Sequence, residues 1–216
     1  MNENRIEKKF VLGKYEEDTL KKLLTINGFK KSFPSRYISS IYLDTLNFDF
    51  AKDNINGVGK RKKIRFRWYN EDYENIYLEE KNKQNFVVKK NIDLVKNIKS
   101  KNNLVENLKD YFFSKTKKYK EFNYRFILKT NYLRSYWISE NKRIRATIDT
   151  SLNTSPINDL SRKLDLSETI LEFKFSPSNE TFFRNFFYKK NLNLRSKKYS
   201  KYLQSFNLLD DSNLII

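Results

Sequence analysis

The 216-residue chain contains no cysteine and no histidine, and only 4 glycines, 3 prolines, 1 methionine and 2 tryptophans. Without cysteine there is no disulfide framework and no thiolate metal site, and the sequence carries no mark of its redox compartment. Without histidine as well, a metal ion would be held by carboxylates, water and substrate oxygens, a donor set that suits hard ions such as Mg²⁺ or Mn²⁺. No apolar run approaches the roughly 18 residues of a membrane span. The start, Met1 to Phe10, is charged and alternating rather than a signal peptide, so a cytoplasmic protein is expected. So few glycines and prolines leave no linker or low-complexity block, and a single domain over residues 1–216 is expected.

What the chain has is positive charge and aromatic bulk. Its 44 Lys and Arg against 26 Asp and Glu give a formal charge of +18, which calls for an anionic partner: nucleic acid, a membrane surface or a phosphorylated small molecule. The 18 Phe and 14 Tyr within a 38% apolar composition can fill a sizeable core, which excludes a disordered chain.

Two periodicities organise these residues. Val11 to Gly28 is expected to be a helix with Leu20, Leu23 and Leu24 on one face and Gly28 at its end. Lys101 to Lys118 has the same period, through Leu104, Leu108, Tyr111 and Phe112. A third helix opens at Pro177-Ser178 and carries Phe182, Phe183, Phe186 and Phe187. Most other segments alternate with period two and predict strands. Arg61, Lys63, Arg65 and Arg67 oppose Ile64, Phe66 and Trp68. Tyr77, Glu79, Lys81 and Lys83 oppose Ile76 and Leu78. Arg143, Arg145, Thr147 and Asp149 oppose Ile144, Ala146 and Ile148, and Glu172 and Lys174 oppose Leu171, Phe173 and Phe175. Arg5, Glu7 and Lys9 alternate with Ile6 and Phe10. One charged face is ordinarily the wet side of a sheet. Five such strands are equally compatible with a sheet closed around a charged lumen, and periodicity leaves both open.

The ordered set of segments resembles the catalytic domain of the vacuolar transporter chaperone (VTC) type, the polyphosphate polymerase family within the CYTH-related triphosphate tunnel metalloenzymes. The resemblance runs from Arg5 to Phe206. It is carried by Arg5-Ile6-Glu7-Lys8-Lys9-Phe10, Ser40-Ile41-Tyr42-Leu43-Asp44-Thr45, Lys63-Ile64-Arg65-Phe66-Arg67 and Leu78-Glu79-Glu80-Lys81, with Lys89 or Lys90 as a further lysine. Tyr132-Leu133-Arg134, Arg145-Ala146-Thr147-Ile148-Asp149, Leu171-Glu172-Phe173-Lys174-Phe175 and Lys198-Tyr199-Ser200-Lys201-Tyr202 complete it.

The resemblance implies an α+β fold: an antiparallel β-barrel, the triphosphate tunnel fold, with a basic lumen and helices packed outside. It implies Arg65, Arg67, Lys81, Arg134 and Arg145 as catalytic cations, and Lys9, Lys89, Tyr132, Lys174, Lys198, Ser200 and Lys201 as substrate contacts. It implies Glu172 as the ligand of a divalent ion, Mn²⁺ or Mg²⁺. Glu7 and Glu79 are expected to orient basic groups through same-face pairing, with a second-metal role as the alternative, and Asp149 to be structural. Lys62, Lys99, Lys117, Lys118 and Lys189 are expected on the solvated surface.

The implied activity is transfer of the terminal phosphate of ATP onto a polyphosphate chain. Hydrolysis of a triphosphate in the same tunnel and non-catalytic binding of polyphosphate or nucleic acid are the alternatives. The hydrolytic branch opens with Glu-x-Glu-x-Lys, whereas this chain has Arg5 at the first acid, which favours the polymerase. Nucleic acid is disfavoured because Phe66 and Trp68 lie opposite the arginines rather than among them. The nucleotide, the acceptor and the oligomeric state are not legible.

Overall fold

The computed structural model describes residues 5–13, 17–85, 87–96, 98, 102–115, 123–189 and 194–214, with side chains of 186–189 excepted. The architecture is α+β: one antiparallel sheet with five helices among the described residues. The strands are β1 (Ile6–Gly13), β2 (Phe29–Thr45), β3 (Lys60–Tyr69), β4 (Ile76–Gln84), β5 (Val87–Val95), β6 (Tyr124–Ser139), β7 (Ile144–Pro156), β8 (Leu164–Asp165) and β9 (Glu168–Phe175). The helices are α1 (Glu17–Ile26), α2 (Asp49–Ile55), α3 (Leu104–Lys115), α4 (Glu180–Lys189) and α5 (Lys201–Asp211). Strand order is β1-β9-β7-β6-β2-β3-β4-β5, with β8 on β7. The path is therefore not closed: β1 and β5 are its two ends among the described residues.

Backbone contacts divide the chain into two compact units, interleaved in sequence. The first comprises Met1–Arg36, Tyr132–Leu152 and Leu166–Tyr199; the second comprises Tyr37–Asn131, Asn153–Asp165 and Ser200–Ile216.

In the first unit β9 is flanked by β1 and β7. Lys9 stands opposite Glu172 and Glu7 opposite Lys174, while Thr147 and Arg145 face the same two residues from β7. The other face of these strands is apolar. Phe10, Ile144, Ala146, Ile148, Leu171, Phe173 and Phe175 are buried against Leu20 and Leu24 of α1 and Phe183 of α4. The Phe175 and Phe183 rings stack with centroids 4.4 Å apart. The expected helix from Val11 is shorter than its period suggested. Val11 and Leu12 continue β1 by pairing with Ile170 and Thr169, and the helix begins at Glu17. Gly28 does follow its end, with φ at +75°, a conformation glycine adopts without strain. The third expected helix starts one turn late, because Pro177–Asn179 forms a 3₁₀ turn ahead of α4.

In the second unit the apolar residues of β3 and β4, Ile64, Phe66, Trp68, Ile76 and Leu78, are buried against Leu104, Leu108 and Phe112 of α3. Burying one such side chain fully stabilises by about 1.5–3 kcal/mol. The charged residues are thereby forced onto the face that α3 does not cover. Lys62 departs from its expected surface role. It is half-buried, its Nζ donates to the Tyr124 hydroxyl at 3.1 Å, and burial lowers its pKa. Lys99, Lys117 and Lys118, and the Lys189 side chain, lie outside the described residues.

Two elements had no counterpart in the sequence reading. Helix α2 is capped by Asp44, whose carboxylate accepts from the Phe50 and Ala51 amides at 2.9 and 3.0 Å. Helix α5 is anchored to the same carboxylate by the Tyr202 hydroxyl at 2.5 Å, and the Tyr202 ring stacks on Tyr42. Burial pushes the Asp44 pKa up, against the pull of these donors.

Candidate functional site

The second unit carries a grid of charge. Register across β2, β3, β4 and β5 places four rows on one face: Ser40, Arg67, Tyr77 and Leu94; Tyr42, Arg65, Glu79 and Ile92; Lys63, Lys81 and Lys90; and Arg61, Lys83 and Val88. Glu79 is its hub. The carboxylate accepts from Arg65 Nε at 2.7 Å and from Lys90 Nζ at 2.8 Å, and Arg67 Nη1 lies 3.8 Å away. Burial works against this carboxylate, but Arg65, Arg67 and Lys90 outweigh it and bring its pKa down to about 2. Glu79 is thus ionised at any working pH, hydrogen-bonded to Arg65 and Lys90 and within ion-pair distance of Arg67.

The start of α5 completes this side. Ser200 is its N-cap, accepting from the Leu203 amide at 3.4 Å, and it also accepts from Lys63 Nζ at 2.7 Å. A serine hydroxyl accepts two hydrogen bonds and donates one. With both acceptor positions engaged, its proton remains to be given to an incoming oxygen. An ammonium beside the positive end of a helix is electrostatically unfavourable on its own account and suits an anion there.

The first unit carries a different cluster. Glu172 is buried, yet its nearest cations stand off: Lys9 Nζ at 3.9 Å and Lys174 Nζ at 3.6 Å, both beyond hydrogen-bond distance. Lys9 Nζ donates instead to the Tyr199 carbonyl at 3.1 Å, and Lys174 also lies 3.5 Å from Glu7. Asp149 is fully committed, accepting from Arg134 Nε and Nη2 at 2.6 and 2.7 Å. Burial disfavours the Arg134 charge, but Asp149 more than offsets it and its pKa is raised.

The expected site residues thus fall into two groups. Arg65, Arg67, Lys81, Ser200 and Lys201 belong to the second unit, while Lys9, Tyr132, Arg134, Arg145, Glu172, Lys174 and Lys198 belong to the first. Lys81, Arg145 and Lys198 are exposed. Arg134 is tied up in its bidentate bridge with its guanidinium 5.3 Å from the buried Tyr132 ring centroid, so this pair is as much scaffold as site. Alternation along β5 puts Lys89 on the far face and Lys90 on the charged one; Lys90, not Lys89, reaches Glu79. Lys63 shares the charged face of β3, and what sets it apart from the other cations there is the contact of its Nζ with Ser200.

No group of three or more acidic residues able to enclose a metal occurs among the described residues. Glu172 still fits a hard divalent ion that takes most of its ligands from phosphate and water, because it is a carboxylate on a largely buried side chain whose nearest lysines stand at 3.6 and 3.9 Å. Glu79 does not fit, since its oxygens are already spent on cations.

The VTC domain family model matches residues 4–210. The chain belongs to the VTC domain family. No curated protein matches it. Solved structures share the fold of this VTC domain at low identity. A Hippeastrum protein proposed as an adenylyl cyclase and found to have a dominant triphosphatase activity aligns at TM-score 0.58 and 11% identity, over 98% of this chain and 97% of its own. A Bacillus halodurans protein proposed as an adenylate cyclase aligns at 0.55 and 15%, over 92% and 95%. A Vibrio parahaemolyticus protein of the same proposed class aligns at 0.53 and 13%, over 95% and 99%. No helix among the described residues is long and apolar enough to cross a membrane.

Proposed function

We propose that this VTC domain, acting as one domain over residues 1–216, is a metal-dependent polyphosphate polymerase that transfers the terminal phosphate of ATP onto a growing polyphosphate chain. The observation that carries the reading is the grid around Glu79. Arg65 and Lys90 are hydrogen-bonded to one ionised carboxylate with Arg67 3.8 Å from it, so three cations around a single acid offer a net positive wall to a chain of phosphates. Arginine forks give paired hydrogen bonds to phosphate oxygens, and fixed donors need no reorganisation as charge shifts during transfer. Phosphoryl transfer asks for positioning and charge stabilisation more than for a protein nucleophile.

In this reading Lys63 and Ser200 hold the phosphate chain at the head of α5, the ammonium by charge and the hydroxyl by its uncommitted proton. Lys9, Lys174 and Arg145 attract phosphate from the face that carries Glu172. Arg134 keeps its fixed position through Asp149, which neutralises its charge, so the pair serves as scaffold. Glu172 would hold the divalent ion, Mn²⁺ or Mg²⁺. When bound, such an ion supplies charge neutralisation at the transferred phosphoryl group.

Hydrolysis of a triphosphate is the second reading, favoured by the triphosphatase activity named for the Hippeastrum protein of the same fold. Against it, Arg5 stands where the hydrolytic branch has its first acid, which leaves Glu7 alone on that strand, beside Lys174. The deciding experiment is the product formed from ATP with Mn²⁺ or Mg²⁺. Long-chain polyphosphate is expected; free phosphate alone would assign the hydrolase, and tight triphosphate binding without consumption of ATP would assign a binding protein.

A further inference from the structure

The charged face of the second unit is not charged throughout. Ile92 and Leu94 of β5 are 53% and 44% exposed, and they lie on the same face as the cations, at the ends of the two rows that hold Arg65 and Arg67. Next to Leu94 in its row is the half-buried Tyr77. β5 is an end strand of the sheet path among the described residues and is exposed along both faces except at Val95. Val95 is in the core packed on α3, Asp93 pairs with Lys115, and the Leu94 carbonyl accepts from the Tyr111 hydroxyl of that helix. On the charged side the exposed Ile92 and Leu94 stand in the same rows as Arg65 and Arg67, whereas Val87, exposed on the opposite face, has no such neighbours.

We propose that Tyr77, Ile92 and Leu94 form a nucleobase subsite, so that the protein distinguishes a nucleoside triphosphate from a phosphate chain without a base. The inference rests on the triphosphate reading of Arg65, Arg67 and Lys90. β5 lies two strands from β3, about 9–10 Å away. A molecule whose phosphates engage the arginines therefore has its sugar and base directed across β4 toward the strip or away from the face. The strip fits a base in kind. It offers the aromatic ring of Tyr77 for stacking and two aliphatic side chains for apolar contact, and every base presents a π-face. The named residues carry no amide or carboxylate to read hydrogen-bonding edges, so purines should be accepted alike. A bare phosphate chain has nothing to place there and gains only from the cations.

The test compares ATP, GTP and inorganic tripolyphosphate by calorimetry on the whole chain, without turnover, in the wild type and in the double variant Ile92→Thr/Leu94→Thr. Threonine keeps strand propensity at these exposed positions, so folding should be preserved. Tyr77→Ser serves as an independent variant, and Val87→Thr, on the opposite face and 66% exposed, as the control. Both nucleotides should bind the wild type more tightly than tripolyphosphate does. The variants should weaken ATP and GTP by about tenfold, the scale of one base–aromatic stack, and leave tripolyphosphate unchanged. Unchanged nucleotide affinity in both variants overturns the subsite. So does a dimer that the double variant abolishes while ATP binding persists, which would give the strip to a second copy. Failure of tripolyphosphate to bind the wild type would instead overturn the triphosphate reading on which the subsite rests.

Discussion

Glu79 and Glu172 stand at the centres of the two charged clusters, one in each unit, and each is 6% exposed. Around Glu79 the cations close to 2.7 and 2.8 Å; around Glu172 they stop at 3.6 and 3.9 Å. Equal burial with unequal coordination separates two uses of a buried acid. A saturated carboxylate aims its cations and has nothing left to give. One whose lysines stand off keeps its lone pairs for a further partner, at the cost of charge buried without short bonds. The Arg134–Asp149 bridge, in the same unit as Glu172, belongs with the saturated kind.

If saturated acids are scaffold, removing one should damage stability first. Asp149→Ala leaves the Arg134 guanidinium buried beside no carboxylate and should cost about 3–5 kcal/mol, measured as a loss of unfolding free energy in urea. A loss below 1 kcal/mol would show the bridge to be dispensable. The loosely held acid should behave in the opposite way. Glu172→Gln preserves size and removes the charge that draws the ion, so turnover should fall by a few hundredfold, about 3–4 kcal/mol of barrier. Tripolyphosphate affinity, read by calorimetry, should hold or tighten, because an acid beside Lys9 and Lys174 is removed. Undiminished turnover would put the metal elsewhere.

Proton linkage offers a further test of the Glu79 cluster. The folded Glu79 pKa, about 2, lies below its ordinary 4.5, so the unfolded chain binds its proton first. Its contribution is full above pH 4.5 and is lost as pH falls from there to about 2. The shift corresponds to roughly 3 kcal/mol across that window. Glu79→Gln should flatten this part of the stability–pH curve; a curve of unchanged slope would mean other groups dominate acid unfolding. The smallest effect concerns affinity. Arg65→Ala should weaken tripolyphosphate by ten- to a hundredfold, since one charge-assisted contact is worth about 1.5–3 kcal/mol, whereas Lys31→Ala on the exposed surface should change little. Equal losses at both would indicate diffuse attraction in place of a preorganised wall.

The alternation of β3, β4, β7 and β9 was legible because a strand with one apolar face announces which residues share the other, as Arg65 and Arg67 do on β3 and Glu172 and Lys174 on β9; which of them to single out came only from the family resemblance. Boundaries were less legible. Val11 and Leu12 satisfy a helical period as well as a strand one, and the pairing with Ile170 and Thr169 decided for the strand. The choice between Lys89 and Lys90 depended on the phase of β5 against β4, which adjacent valines and adjacent lysines do not encode. The union of Asp44 with Tyr202 spans 158 positions, and no local pattern foretells it.

That union bears on how the protein is made. Asp44 is buried, and its Tyr202 partner comes from helix α5, near the far end of the described chain. While β2, β3 and β4 are already outside the ribosome, the core around Tyr42, Ala51, Ile127 and Leu128 still lacks Tyr202, Phe206 and Leu209. Most of the first unit is therefore synthesised before the second can finish closing. The second unit spends that interval with an apolar seam open, an opportunity for a holding chaperone and a hazard without one.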